Sequence, residues 1–162
     1  MDTYVLVVVR LIHIVAAFFW VGTGFYSTVF VFPALVDLGD SGAQFVKALA
    51  KKRLFAFIFP VSAALTVLAG LVLYLRPGAS GGWSSTAWAI LSIGALAGIV
   101  AIAHGGAILG RMIGAYMQKA MSGSAQPGEL AKLAAELVRH ANISLILIII
   151  AMLGMESARY WP

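Results

Sequence analysis

The chain has 162 residues, of which 62% are hydrophobic and 10% charged, against about half apolar, glycine included, in a soluble domain. This composition predicts an all-α integral membrane protein and excludes a nucleic-acid partner, because the basic residues behind the +5 net charge sit in short loops and helix ends where lipid headgroups compete for them. With no cysteine, disulfides, thiolate metal sites, iron-sulfur clusters and covalently attached haem are also excluded, and histidine is left as the strong ligand.

The first apolar run, Leu11 to Phe32, reads LIHIVAAFFWVGTGFYSTVFVF and carries no charge after Arg10. It exceeds the roughly 20 apolar residues that cross a bilayer. A signal peptide does not account for it, since the run is too long and no small-residue cleavage site closes it. The first helix is expected from about Tyr4 to Ala34, with Arg10 near one membrane face and Pro33 near the other. His13 lies within it. An ionisable group inside a span usually faces the bundle interior and marks a ligand, proton or ion site. The plainer alternative is an imidazole bonded to water near the headgroups.

The link from Asp37 to Arg53 carries Lys47, Lys51, Lys52 and Arg53, with Phe45 and Leu49 spaced to form an apolar stripe, and reads as an interfacial helical turn. A second helix follows over about 54–75. Pro60 near its start is expected to bend it or free a carbonyl. Turn-rich RPGASGGWSS, Arg76 to Ser85, leads into a third helix over about 86–117, with Trp83 and Trp88 as interface anchors. Small residues recur there at four-residue spacing: Gly94 with Gly98, Gly106 with Gly110, Gly110 with Gly114. Such a face admits another backbone, including that of a second copy in a homo-oligomer, or a flat ligand. His104 directly precedes Gly105 and Gly106.

After a polar loop broken by Pro127 and Gly128, a fourth helix is expected over 129–157. Lys132, Glu136 and Arg139 mark its wet beginning, Ile143 to Leu153 its apolar body, and His140 the junction. Arg159, Tyr160 and Trp161 form a last interfacial anchor. The whole chain, 1–162, thus reads as one transmembrane domain, a four-helix up-and-down bundle. Lys and Arg collect in the first and third links, leaving Arg10, Arg76 and Arg159 on the opposite side. Both termini are therefore expected outside the cytoplasm, in a bacterial-type cytoplasmic membrane.

Helical rise orders the three histidines by depth. His13 stands 20 residues above Pro33, about 30 Å, and so near the outer face. His104 lies about 10 Å from the inner face, counted from Arg111, and His140 enters at that face. His104 and His140 are thus expected to pair while His13 stands apart. Two imidazoles beside glycines suit one haem b wedged between helices. A second haem at His13 is a further expectation, with Met155 as a weak additional ligand at about its depth. Arg10, Arg111 and Arg139 stand close in sequence to the histidines, where haem propionates need cations, although each also reads as an ordinary snorkelling arginine.

The residues IHIVAAFFWVGTGFYSTVFVFPAL, with His13, Trp20 and Gly22, resemble the first helix of the HemJ-type protoporphyrinogen IX oxidases and their CopD-like relatives. The similarity continues through KKRLFAFIFPVSAALTVLAGLVLYL, Lys51 to Leu75, then Gly82 with Trp83, and His104 with Arg111. It covers about the first 115 residues in short apolar motifs. The resemblance implies a small helical membrane protein that binds haem b, with His13 as the leading ligand and His104 next. It also implies a lysine in the third helix for the oxidase activity, and this chain has none between Arg53 and Lys119. The expectation is a haem b protein with a redox role, exchanging electrons with quinone or a redox protein or acting as an oxidoreductase at the haem. The alternatives are copper or small-cation transport resembling CopD, and a helical accessory subunit of a larger complex.

Overall fold

In a bilayer each backbone N–H and C=O has to be satisfied inside the protein, which leaves the helix as the solution for apolar runs of this length. The computed structural model describes the backbone of residues 2–162 and all of their side chains except those at 53, 55 and 56, so Arg53 of the basic link lies outside the described side chains. Helix α1, Thr3–Tyr26, is capped by the Asp2 carboxylate, which accepts the Tyr4 N–H. The first helix was expected to end near Ala34. It instead widens into one π-helical turn, Ser27–Val31, resumes as α2, Phe32–Leu38, and passes through a 3₁₀ turn, Gly39–Ser41, into α3, Gly42–Ala50.

Pro33 explains the widening. It has no N–H, and its ring would strike the carbonyl four residues back in a regular α-helix. In the wider turn the Phe32 N–H donates to the Ser27 carbonyl instead. Gly39 then ends α2 at φ +52°, a left-handed conformation that glycine adopts without a Cβ clash.

Helix α4, Arg53–Leu75, keeps Pro60 inside it. The third span divides like the first, into α5, Ser85–His104, a π turn, Gly105–Leu109, and α6, Gly110–Ser122. Helix α7, Glu129–Ser157, and a closing 3₁₀ turn, Ala158–Tyr160, complete the chain. Four stretches, Thr3–Ala50, Phe57–Leu75, Ser85–Ser122 and Glu129–Tyr160, are long and apolar enough to cross a membrane. Among the described residues there is no strand. The fold is the all-α four-helix membrane bundle that the composition predicts.

Two helix pairs build it, α1 against α4 and α5 against α7. One residue from each span, Trp20, Ala63, Ala101 and Ile148, meets at the centre. A second core of Phe32, Leu35, Val46, Tyr116, Leu130 and Leu137 lies towards the end that carries the basic links, here called the basic face. Helix α3 buries one side in this core and leaves the expected interfacial stripe outside it. Val46 and Gly42 are buried, while Phe45 stays exposed and Leu49 half-buried. Leu11, Val15, Phe18, Leu68, Leu96, Ile146 and Leu153 point outward and form the lipid-facing belt.

Lipid tails are as apolar as leucine, so the helices associate through close packing and hydrogen bonds rather than by escaping water. Gly94 and Gly154 supply the closest approach. A Cβ on Gly94 would stand 2.9 Å from the Met155 nitrogen, and one on Gly154 would stand 2.8 Å from Gly94 Cα. The upper part of the expected glycine face is thus used within the chain, between α5 and α7. Gly105, Gly106 and Gly114 border open space instead.

At the terminal face, the one carrying both chain ends, Tyr74 stacks on Trp88 with centroids 4.8 Å apart and its hydroxyl pairs with Ser92 at 2.7 Å. At the basic face Lys119 meets Glu129 at 2.6 Å, and the Gly128 N–H donates to the Asp40 carboxylate at 3.2 Å. The exposed ion pair contributes little by itself.

The contrast between glycines is measurable. Gly94→Ala is expected to destabilise the bundle by about 1–3 kcal/mol, the usual cost of forcing atoms into a packed interface. Gly114→Ala should be neutral or stabilising by up to about 1 kcal/mol through helix propensity. Thermal or denaturant unfolding in detergent reads both.

Candidate functional site: three histidines at two depths

An imidazole inside a span needs a partner for at least one ring nitrogen, because lipid offers none. His13 on α1 finds its partner on α4, where its Nδ1 lies 2.8 Å from the Thr66 carbonyl oxygen. A carbonyl oxygen only accepts, so Nδ1 carries the hydrogen. In the neutral ring Nε2 then holds the lone pair. Gly70 makes room for the ring, since a Cβ there would stand 2.9 Å from His13 Cε1 and 3.1 Å from Nδ1. The Thr66 hydroxyl is occupied elsewhere, donating to the Ser62 carbonyl at 2.7 Å, and the Ser62 hydroxyl donates to Phe59 at 3.0 Å. The half-buried imidazole is thus held from one side by backbone.

His104 and His140 form the second layer. His104 ends α5, and its Nδ1 lies 2.8 Å from the buried Ser144 hydroxyl on α7. His140, one turn before Ser144 on the same helix, brings its Nδ1 to 3.4 Å from His104 Nε2. The two rings stack with centroids 5.5 Å apart and planes inclined by 30°. The register that sets Gly94 against Gly154 also sets His104 against Ser144, ten residues further along one helix and ten back along the other.

Depth keeps the layers apart. Trp20 and Ala101 share the central cluster. From it His13 lies seven residues towards the terminal face and His104 three residues towards the basic face, a separation of about 15 Å along the bundle. The structure therefore brings His104 and His140 together and leaves His13 by itself.

Arg10 lies one turn before His13 on α1, with its side chain exposed. Arg111 lies two turns beyond His104 in the chain. The π turn between them adds a residue, which rotates everything beyond it by about 100°, and Arg111 is exposed. Arg139 next to His140 is exposed as well. Met155 packs into the α5–α7 seam, with its Cε 3.7 Å from where a Cβ on Gly98 would lie.

A haem ligand needs a neutral nitrogen with a free lone pair and a hydrogen bond at the other nitrogen that fixes tautomer and ring orientation. His13 meets both conditions. His104 and His140 do not form an axial pair as they are placed. A metal ion between two opposed imidazoles, at nitrogen distances of about 2 Å each, holds the rings end-on with nitrogens about 4 Å apart. These rings stack and bond to each other. Among the described residues no cluster of three or more His, Asp or Glu side chains offers a metal site.

Three participants were not singled out from sequence. Ser144 was visible as the residue one turn after His140 on the same helix face. Gly70 carried a weaker signal, since glycine in mid-helix costs about 1 kcal/mol relative to alanine and usually has a packing reason. The Thr66 carbonyl carried none, because any residue supplies one.

Fold and site together define a four-helix membrane bundle with one backbone-anchored histidine and one bonded histidine pair. No family model, curated protein or solved structure matches the chain.

Gly70→Ala is expected to push the His13 ring off its carbonyl partner. Unfolding should show a loss of about 0.5–1.5 kcal/mol, the net worth of one hydrogen bond. The His13 Nδ1–H resonance in ¹⁵N NMR should shift while the signals of His104 and His140 stay in place.

Proposed function

We propose that the protein binds haem b in the membrane and has a redox role, with His13 Nε2 as the leading iron ligand. The observation that carries this reading is the Nδ1–H of His13 donated to the Thr66 carbonyl, with Gly70 opening the space for the ring. That bond presents Nε2 as a neutral donor and raises its basicity, the preparation seen at metal-ligating histidines. The resemblance to HemJ-type and CopD-like proteins supports the same residue. Haem b, when bound, supplies a one-electron couple whose potential follows its axial ligand and burial.

The chain's own residues do the rest. Thr66 holds the imidazole's orientation, and the apolar belt excludes water. Arg10 is placed to neutralise a carboxylate at the terminal face. Lys47, Lys51, Lys52, Lys119 and Lys132 all lie towards the basic face, so this face is cytoplasmic and both termini are outside, in a bacterial-type cytoplasmic membrane. Electron exchange with a quinone or a redox protein is favoured over protoporphyrinogen oxidation, because no lysine occurs between Arg53 and Lys119.

Absorption spectra of the detergent-solubilised protein, oxidised and reduced, test the reading. A Soret band and a reduced α-band are expected, with haem affinity abolished in His13→Ala and weakened about 10- to 100-fold in Gly70→Ala, as for the loss of a ligand's orienting partner. Met155→Leu should leave the spectrum unchanged. Protein purified from haem-replete cells without a Soret band, or His13→Ala with undiminished haem, would overturn it.

A further inference from the structure

We propose that the groove between α1 and α3 binds one anionic phospholipid of the basic-face leaflet, with an acyl chain in the groove and the phosphate held by Lys47, Lys51 and Lys52. The site involves none of the histidines and does not rest on the haem reading. The groove holds about 600 Å³ of space, within the range of about 300–1,000 Å³ usual for small-molecule sites. Its α1 wall runs from Phe18, close in depth to the central Trp20, through Gly22 to Val31 in the π turn, and Phe45 and Leu49 of α3 form the other wall. Along α1 this is a rise of about 20 Å, where half of the hydrocarbon core is about 15 Å. The groove thus runs from mid-membrane to the basic face, over the depth that an acyl chain of that leaflet occupies.

Local structure keeps both walls open. Gly22 puts no side chain into the space, and a Cβ there would meet nothing within 4 Å. Helix α3 spends Gly42 and Val46 on the core, which leaves Phe45 exposed and Leu49 half-buried along the groove. An apolar stripe beside a basic side is the pattern of a helix lying at the membrane interface, its apolar face among acyl chains and its lysines among head groups.

Charge selects the head group. Lys47 and Lys51 stand one turn apart on the side of α3 away from Val46, Lys52 opens α4, and all three are exposed. Among the described residues the ion pairs are Lys119 with Glu129 and Arg159 with Glu156, and Lys47, Lys51 and Lys52 take part in neither. The chain has no acidic residue between Asp40 and Glu129, and the Asp40 carboxylate already accepts the Gly128 N–H. The N-terminus of α4 adds backbone N–H groups with neither a side-chain cap nor an acid in the first turn, an arrangement that favours an anion. Basic clusters on an amphipathic helix attract anionic head groups. A second copy of the chain would bring like charges together here, and a neutral quinone would leave the lysines without a counter-charge.

The test is native mass spectrometry of the detergent-solubilised full chain, titrated with phosphatidylglycerol or phosphatidylcholine of the same acyl chains. One phosphatidylglycerol should be retained with an affinity at least tenfold above that of phosphatidylcholine. Replacing the three lysines together, Lys47→Gln, Lys51→Gln and Lys52→Gln, should reduce it to the phosphatidylcholine level. Gly22→Leu fills the groove without a Cβ clash and should weaken phosphatidylglycerol at least tenfold with every lysine present, whereas Gly114→Leu, at another glycine beside open space, should bind it as the wild type does. Equal retention of the two lipids, wild-type retention in the triple variant or in Gly22→Leu, equal weakening in Gly22→Leu and Gly114→Leu, or displacement of phosphatidylglycerol by an equimolar prenyl quinone would each overturn the site. Should Gly22→Leu fail to fold, chain length decides in the wild type: dihexanoyl-phosphatidylglycerol binding at least tenfold more weakly than the long-chain lipid supports the groove, and equal binding refutes it.

Discussion

A polar group in the hydrocarbon of a membrane has to find its hydrogen-bond partner inside the protein. That constraint fixes how the histidines of this bundle are placed. His13 reaches across to a carbonyl on α4, the Thr66 and Ser62 hydroxyls turn back onto their own helix, and His104 is bonded to α7 from both of its nitrogens. Each helix pair is thus joined by one histidine, α1 to α4 through His13 and α5 to α7 through His104. Interhelical bonds of this kind average only about 0.6 kcal/mol in a membrane. Their effect is to set register and orientation rather than to supply most of the stability.

Close packing supplies the rest, and the two are coupled along α5 and α7. The contact of Gly94 with Gly154 brings two backbones together. Ten residues further on, the same antiparallel register delivers His104 to Ser144. A bulkier seam would separate the helices and lengthen those bonds. The glycines and the histidine cluster are therefore parts of one interface.

Both long spans leave α geometry on the way from the centre to the basic face. In the first, Pro33 forces the π turn sterically. In the third no proline is present, and two successive glycines, Gly105 and Gly106, leave the backbone free to widen. The consequence is directional, because a π turn rotates all that follows it. In the third span it rotates α6, and with it the exposed Arg111, relative to α5 and His104.

Four apolar runs, their turn-rich links and the sidedness of lysine and arginine were legible in the amino-acid sequence, because bilayer thickness and backbone satisfaction translate directly into length and composition. Depth was legible too. A constant rise per residue set His104 and His140 at one level and His13 at another. Azimuth was not legible, since one added residue in a turn displaces every later side chain by about 100° and leaves no mark in hydropathy. Only the packed helices decided that His104 and His140 stack on each other rather than face across a plane, that Ser144 completes their line, and that the partner of His13 is a backbone carbonyl. A carbonyl belongs to every residue, and only the proximity of another helix makes a particular one a partner.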